Sequence, residues 1–393
     1  MGRPVHVVGV GMIPFSKPGA SESYAVMGGR AAHEALKDAG LNYQDVQQAF
    51  TGYVYGDSTC GQAAVYSVGL TGIPVVNVNN NCATGSTALF LGRQAIQAGL
   101  DCVLVLGFEQ MARGALNAVF SDREDPAQRL LDTMKAVQGE EPGSPRAAQL
   151  FGGGGRVHMQ LYGTRPETFA RIAVKARTHA ANNPYAVFRD PITLEQVMGS
   201  PPIFDPLTRL QCCPPTCGAA AALLCSAEFA AKRGLDRRVT IAGQALTTDT
   251  NTTFDERDMR KVVGYDMTRN AARQVYEQSG VGPEDIRVCE LHDCFTANEL
   301  LTYEALGLTA EGTAEKFILD GDNTYGGRVV TNPSGGLLSK GHPLRATGLA
   351  QCTELVWQLR GQAGPRQVEG VRHALQHNLG LGGACVVTLY QSA

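Results

Sequence analysis

No apolar run in this chain of 393 residues approaches the roughly 20 needed to cross a bilayer, so no membrane span is expected. A formal net charge of −3 gives no bulk attraction for nucleic acid or an anionic membrane surface, and neither is expected as a partner. The stretch Val7-Val8-Gly9-Val10-Gly11 reads as a buried strand, and its Gly-x-Gly lacks the third glycine of a dinucleotide-binding loop. The tetraglycine from Gly152 to Gly155 has no neighbouring Lys-Ser or Lys-Thr, so it reads as close packing or mobility and not as a phosphate cradle. Eleven cysteines, an odd number at no framework spacing, exclude a disulfide scaffold and point to a reducing compartment.

A hydrophobic content of 44% over this length supports a large core and two or three domains. An internal repeat organises them. Ala31-Ala32, Gly40 and Asp45 recur as Ala271-Ala272, Gly280 and Asp285, and Ala83-Thr84-Gly85 is echoed by Ala346-Thr347-Gly348, each phrase opening a helix. Each half reads as alternating strands and helices, which predicts an α/β fold of two similar layers packed together. The pattern breaks from about Ala112 to Pro206. The expected division is therefore an N-terminal half at 1–111, completed by about 207–237, an inserted loop or lid domain at 112–206, and a C-terminal half at 238–393.

Three phrases carry chemistry: Asn79-Asn80-Asn81-Cys82-Ala83-Thr84-Gly85, Leu291-His292-Asp293-Cys294-Phe295 and Lys340-Gly341-His342-Pro343. Together they hold two thiols and two imidazoles, the means to make and break a thioester. Cys82 follows the β-branched run Pro74–Val78 and precedes a helical pattern, so it sits at a strand-to-helix corner. There unpaired N–H groups and the helix dipole favour a thiolate, with a pKa expected below the free value of roughly 8.5. A buried structural cysteine is the commonest alternative. Three asparagines beside it argue for function, being costly to bury without purpose. The Gly335-Gly336 pair and the flanking prolines make the His342 segment a tight, non-helical loop, and a thiol needs such a base. If the strand Ile286–Leu291 continues, His292 and Cys294 project to one side and Asp293 to the other. No metal is expected, since no further ligands stand at metal-site spacing. His373 and His377 read as core or surface histidines, and Cys212, Cys213 and Cys217 as structural.

With Asn332-Pro333-Ser334-Gly335-Gly336, Gly56–Gln62, Gln211–Pro214 and Gly321–Gly327, these phrases closely resemble the sterol carrier protein 2/X branch of the thiolase superfamily, from Val7 to Leu389. That branch has His-Asp-Cys-Phe where ordinary thiolases carry Asn-Glu-Ala-Phe. The resemblance implies a layered α-β-α-β-α fold and CoA-dependent cleavage of 3-ketoacyl-CoA, straight-chain or 2-methyl-branched, to acetyl-CoA or propionyl-CoA and a shortened acyl-CoA. It also implies roles: Cys82 as acylated nucleophile, His342 as its base and a later oxyanion donor, and His292 completing that oxyanion hole. Cys294 becomes the second acid/base, expected to titrate near the working pH. Gly382 lends its N–H, with that of Cys82, to a second oxyanion hole. Ordinary thiolases take the second thiol from a C-terminal Cys-x-Gly; Gly380-Leu381-Gly382 has no cysteine, which makes Cys294 more necessary.

CoA is thus expected as substrate, with no tightly bound cofactor. Arg156, Arg165, Arg177 and Arg189, in a locally basic stretch, are candidates to meet its phosphates, or else form a solvated helical face. A homodimer and peroxisomal residence follow from the resemblance alone; the closing Gln391-Ser392-Ala393 carries no Ser-Lys-Leu type address, which leaves the cytosol open. Two positions depart from the family pattern. Arg345 replaces the second glycine of Gly-His-Pro-Leu-Gly, where it narrows the acyl pocket, pairs with an acid or lowers activity, and Cys217 stands in place of an aspartate. The competing readings are a thiolase-like aldolase, a group that dispenses with the nucleophile, and a non-catalytic acyl-CoA or lipid-binding protein.

Overall fold

The computed structural model describes residues 2–112, 120 and 122–392. Strands β1 (Val5–Met12), β2 (Gln48–Gly52), β3 (Val75–Val78) and β4 (Cys102–Glu109) come first, then a small hairpin of β5 (Pro202–Phe204) and β6 (Leu207–Thr208). Next follow β7 (Gly218–Ser226), β8 (Val239–Thr247), β9 (Val288–Glu290), β10 (Val330–Thr331), β11 (His373–Gly380) and β12 (Ala384–Ser392). All but the hairpin lie in one mixed sheet, ordered β10-β9-β11-β12-β8-β1-β7-β4-β2-β3.

That order is the same five-strand motif used twice. Outward from the centre, β1-β7-β4-β2-β3 has two antiparallel and then two parallel pairings, and β8-β12-β11-β9-β10 repeats them; His6 opposite Thr240 joins the two at the seam. The repeat read from the sequence marks equivalent hinges. Gly40 and Gly280 end the helices Tyr24–Ala39 and Tyr265–Ser279 in the left-handed region, at φ 67° and 70°. Asp45 and Asp285 each accept an N–H three residues back at 3.1 Å, closing the turn that follows.

Helices Thr84–Gln97 and Thr347–Arg360 pack against each other between the halves. Their first turns touch through glycine: a Cβ on Gly85 would lie 2.5 Å from the Arg345 carbonyl, and one on Gly348 2.5 Å from the Ser86 nitrogen. Only glycine permits that approach, and it brings the two helix starts, with the loops preceding them, to one place.

Between β4 and β7 run helices Gln128–Gln138, Arg146–Tyr162, Pro166–Ala180 and Leu194–Met198. Leu130, Met134, Phe151 and Phe169 share a core with Val262, Leu300, Leu301 and Phe317 of the C-terminal half. Each buried Leu or Phe contributes about 1.5–3 kcal/mol, so this segment is welded to that half and not hinged on it. Residues 113–119 and 121 of the expected lid lie outside the described residues. The tetraglycine is inside helix Arg146–Tyr162, where a Cβ on Gly152 would stand 2.6 Å from the Phe204 ring; it serves close packing. All eleven cysteines are free, and no helix among the described residues is long and apolar enough to cross a membrane.

Candidate active site

Cys82 occupies the corner between β3 and helix Thr84–Gln97, with Asn81 before it at φ 50°. Asn81 faces both ways: its Oδ1 accepts from the Cys82 thiol at 3.7 Å, and its Nδ2 donates to the Leu381 carbonyl at 2.9 Å. Gly382 lies in that second loop, the exposed turn joining β11 to β12, at φ 93°. The strand before His292 does not continue as expected. β9 stops at Glu290, and Leu291–Cys294 is irregular, because Asp293 is needed elsewhere: it accepts the N–H groups of Leu337 and Leu338 at 2.7 and 3.3 Å. Those residues lie in a π-helical turn, Gly336–Lys340, where a wholly non-helical loop was expected. The turn ends at Gly341, φ 119°, and delivers His342. The Cys212–Cys217 segment threads between the two loops, Cys212 bridging to Phe295 and Pro215 to His342.

The result gathers the predicted residues. The Cys82 sulfur and one ring nitrogen each of His292 and His342 lie within 4.8 Å of one another, and the two imidazoles meet edge to face with centroids 5.1 Å apart. The His342 tautomer is set by its neighbour. Thr347 Oγ1 donates to the Pro343 carbonyl at 3.0 Å, so it accepts from Nδ1 of His342 at 2.7 Å. The buried Nε2 has no hydrogen-bond partner among the described residues and is left as an unprotonated base.

The charge states differ from the sequence expectation. Burial pushes the Cys82 thiol up to about 11, against the pull of the Arg345 cation, and the corner's N–H groups do not offset the lost hydration. Burial and the same cation push His342 down to about 3. Cys294 is likewise raised well above the usual thiol range by burial and by Cys213 and Cys82, instead of titrating near neutrality. Arg345, only 1% exposed, pairs with an acid: its Nη1 is 3.7 Å from Glu109 Oε2, and its Nη2 donates to Asn79 Oδ1 at 3.4 Å.

Other assignments fall elsewhere. Arg156 pairs with Asp205 at 3.2 Å and Arg165 with Glu315 at 2.8 Å, while Arg177 and Arg189 donate to the carbonyls of Asp190 and Ala181. None of the four lines a surface cavity of about 550 Å³ walled by Glu124, Arg129, Asp132, Thr133, Phe254 and Arg257 among others. Cys213, read as structural, donates its backbone N–H to the Cys294 carbonyl at 2.9 Å and so lies beside the site. Cys217 is buried and donates to the Met111 carbonyl at 3.4 Å. His377 bonds Thr268 Oγ1 at 3.0 Å and accepts the His292 N–H at 3.4 Å. Asn378, which the sequence reading passed over, donates to Nδ1 of His292 at 3.1 Å.

A doubled sheet around paired helix starts, with a cysteine and two histidines at their meeting point, defines a thiolase-type acyltransferase, and comparison with known proteins agrees. The family model described as the thiolase N-terminal domain matches residues 5–228, and the thiolase C-terminal domain-like model matches 248–390. The chain belongs to the thiolase family. Its relatives include sterol carrier protein 2 of Oryctolagus cuniculus, 58% identical over 98% of this chain and 72% of that protein. Among solved structures, an Ltp2-ChsH2(DUF35) aldolase superposes with a TM-score of 0.83 at 27% identity, covering 99% of this chain and 98% of that one. Human mitochondrial 3-ketoacyl-CoA thiolase in complex with CoA shares the fold, with a TM-score of 0.74 at 18% identity over 100% and 98% of the two chains.

Proposed function

We propose that this chain is a 3-ketoacyl-CoA thiolase working through an acyl-cysteine, in oxidation of fatty-acid or sterol side chains and, by family resemblance, in the peroxisome. The bare, buried Nε2 of His342 in a cluster with the Cys82 sulfur carries the reading. The thiol gives its proton to that nitrogen as sulfur attacks the 3-keto carbon. The N–H groups of Cys82 and Gly382 hold the resulting oxyanion, and each such donor is worth about 10²–10³ in rate. Collapse breaks the bond between C2 and C3. Its electron pair passes to C2, which takes the Cys294 proton, while His292 and protonated His342 hold the thioester oxygen. Acetyl-CoA leaves, the thiol of a second CoA returns a proton to Cys294, its sulfur attacks the acyl carbon, and the Cys82 thiolate released takes back the proton held on His342.

Arg129 and Arg257 join Arg156, Arg165, Arg177 and Arg189 as candidates to meet the anionic end of CoA, in a cavity that Glu124 and Asp132 also line. Asp249, 2.6 Å from where a Gly383 Cβ would stand, feels the Arg129 charge and leads into the helix bearing Phe254, so the cavity adjoins the Gly382 turn.

A second reading, a retro-aldol enzyme, draws on the 27% identity and TM-score of 0.83 to the Ltp2-ChsH2(DUF35) aldolase. Mass analysis separates them. Incubation with acetyl-CoA should place one acetyl group on Cys82 and none on the Cys82→Ala variant. Cleavage that needs no free CoA and leaves Cys82 unmodified would favour the aldolase. Cys294→Ala should slow both thiolysis and hydrogen exchange at C2 of acetyl-CoA by about 10²–10⁴.

A further inference from the structure

We propose that Gln376, Ser86 and Asn378 form a relay of positioning residues that fixes the proton of His292 on Nε2, making this ring a hydrogen-bond donor into the site. The assignment starts from a group with no choice. The Gly348 carbonyl can only accept, so the Gln376 amide facing it at 2.6 Å presents Nε2, and the Tyr390 hydroxyl donates to its Oε1 at 2.5 Å. The same Nε2 donates to Ser86 Oγ at 2.8 Å. Ser86 has one proton, and it goes to Asn378 Oδ1 at 2.8 Å. That turns the Asn378 Nδ2 toward Nδ1 of His292 at 3.1 Å, where the ring nitrogen must accept. The reverse amide would make Ser86 accept twice and leave its proton without an acceptor among the described residues.

A neutral imidazole carries one proton, and burial holds His292 well below the usual histidine range, so the proton sits on Nε2. Ser86, Gln376 and Asn378 are all 0% exposed, so water does not compete for these bonds. Ser86 comes from the helix that follows Cys82, while Asn378 and Gln376 come from β11. Ser86 is thus the one member of the relay that comes from the other half. The two histidines end complementary: Nε2 of His342 accepts the thiol proton, and Nε2 of His292 donates to an oxyanion. A soft cation in this cluster would find two lone pairs, since His292 has none to offer.

The relay rests on the thiolase reading only for its purpose, and its test separates the two. Long-range proton–nitrogen NMR of the full chain carrying ¹⁵N-histidine reads the tautomer directly, with the His292 signal assigned by His292→Gln. The expected wild-type signature is the Nε2–H form. Asn378→Leu should mix the tautomers and lower kcat for thiolysis by about 10²-fold with KM little changed, as for loss of one oxyanion donor. Ser86→Ala, freeing the amide to turn, should give a smaller loss with a partial tautomer shift. A wild-type Nδ1–H signature, or Asn378→Leu with an unshifted tautomer and wild-type kcat, overturns the relay. Failure of Cys82 to acetylate would instead remove the thiolase reading and leave the tautomer result standing.

Discussion

Cys82 and His342 face each other as neutral groups, and the sign of each shift says so. A thiol raised to about 11 ionises only near that pH, and an imidazole lowered to about 3 protonates only near that one, so between them the resting site holds no thiolate–imidazolium pair. Ionisation then occurs within the attack, when the sulfur's proton moves to Nε2. Iodoacetamide labelling of Cys82 in the free protein should therefore rise about tenfold per pH unit from pH 7 to 9, tracking the thiolate fraction. An acid plateau reaching down to pH 5 would show a preformed ion pair and refute the neutral state. The residues themselves were legible, because each lies in a short phrase whose chemistry has few alternatives. Their charge states were not, since desolvation depends on what the rest of the chain packs around a sulfur. Asn378, Ser86 and Gln376 were hidden for a related reason: in sequence they are ordinary polar residues, and only the packing of the Ser86 helix against β11 joins them into one chain of bonds behind His292.

At the scale of elements, the repeat was readable because its markers are structural necessities. Gly40 and Gly280 end equivalent helices at positive φ, and Gly85 and Gly348 permit the same close crossing. The loops that deliver the histidines were less legible, because long-range bonds set their shape. Asp293 ends β9 early to cap the Gly336–Lys340 turn, and the Asn332 Oδ1 accepts the Leu291 N–H at 2.8 Å while Asn332 itself sits at φ 50°. Behind them, Lys340 donates to Ser334 Oγ at 2.9 Å and stands 3.4 Å from the buried Glu290 carboxylate. Asp293→Ala should leave the Leu337 and Leu338 N–H groups unpaired in the interior, at about 1–3 kcal/mol each. The measurable outcome is a lower denaturation midpoint together with acetylation of Cys82 slowed by about 10²-fold, the effect of a displacement near 1 Å. A lowered midpoint with unchanged acetylation would confine Asp293 to holding the fold.

Over the whole molecule, the ten-stranded sheet ends at β3, which has no strand on its outer side among the described residues. Val76 on that strand is 37% exposed, and the nearby Tyr66 and Leu70 are 55% and 77% exposed. An unpaired edge with apolar side chains around it is a template for another strand. A second copy related by a two-fold axis can offer its own β3 to the same edge, closing the assembly at two chains. We propose this edge as the contact for the homodimer that the family resemblance implies. β3 also leads directly into Asn79–Cys82, and Asn77 ties it inward by accepting the Gly61 N–H at 3.1 Å and donating to Gln62 at 2.9 Å. A partner strand would brace the corner that holds the nucleophile. Light scattering at micromolar concentration should therefore report twice the chain mass for the wild type and the single-chain mass for Leu70→Lys/Val76→Lys. The monomeric variant should acetylate Cys82 more slowly, although neither substituted residue touches the site. A wild-type monomer would remove this interface, and a monomeric variant with undiminished acetylation would show that the corner needs no brace from a second copy.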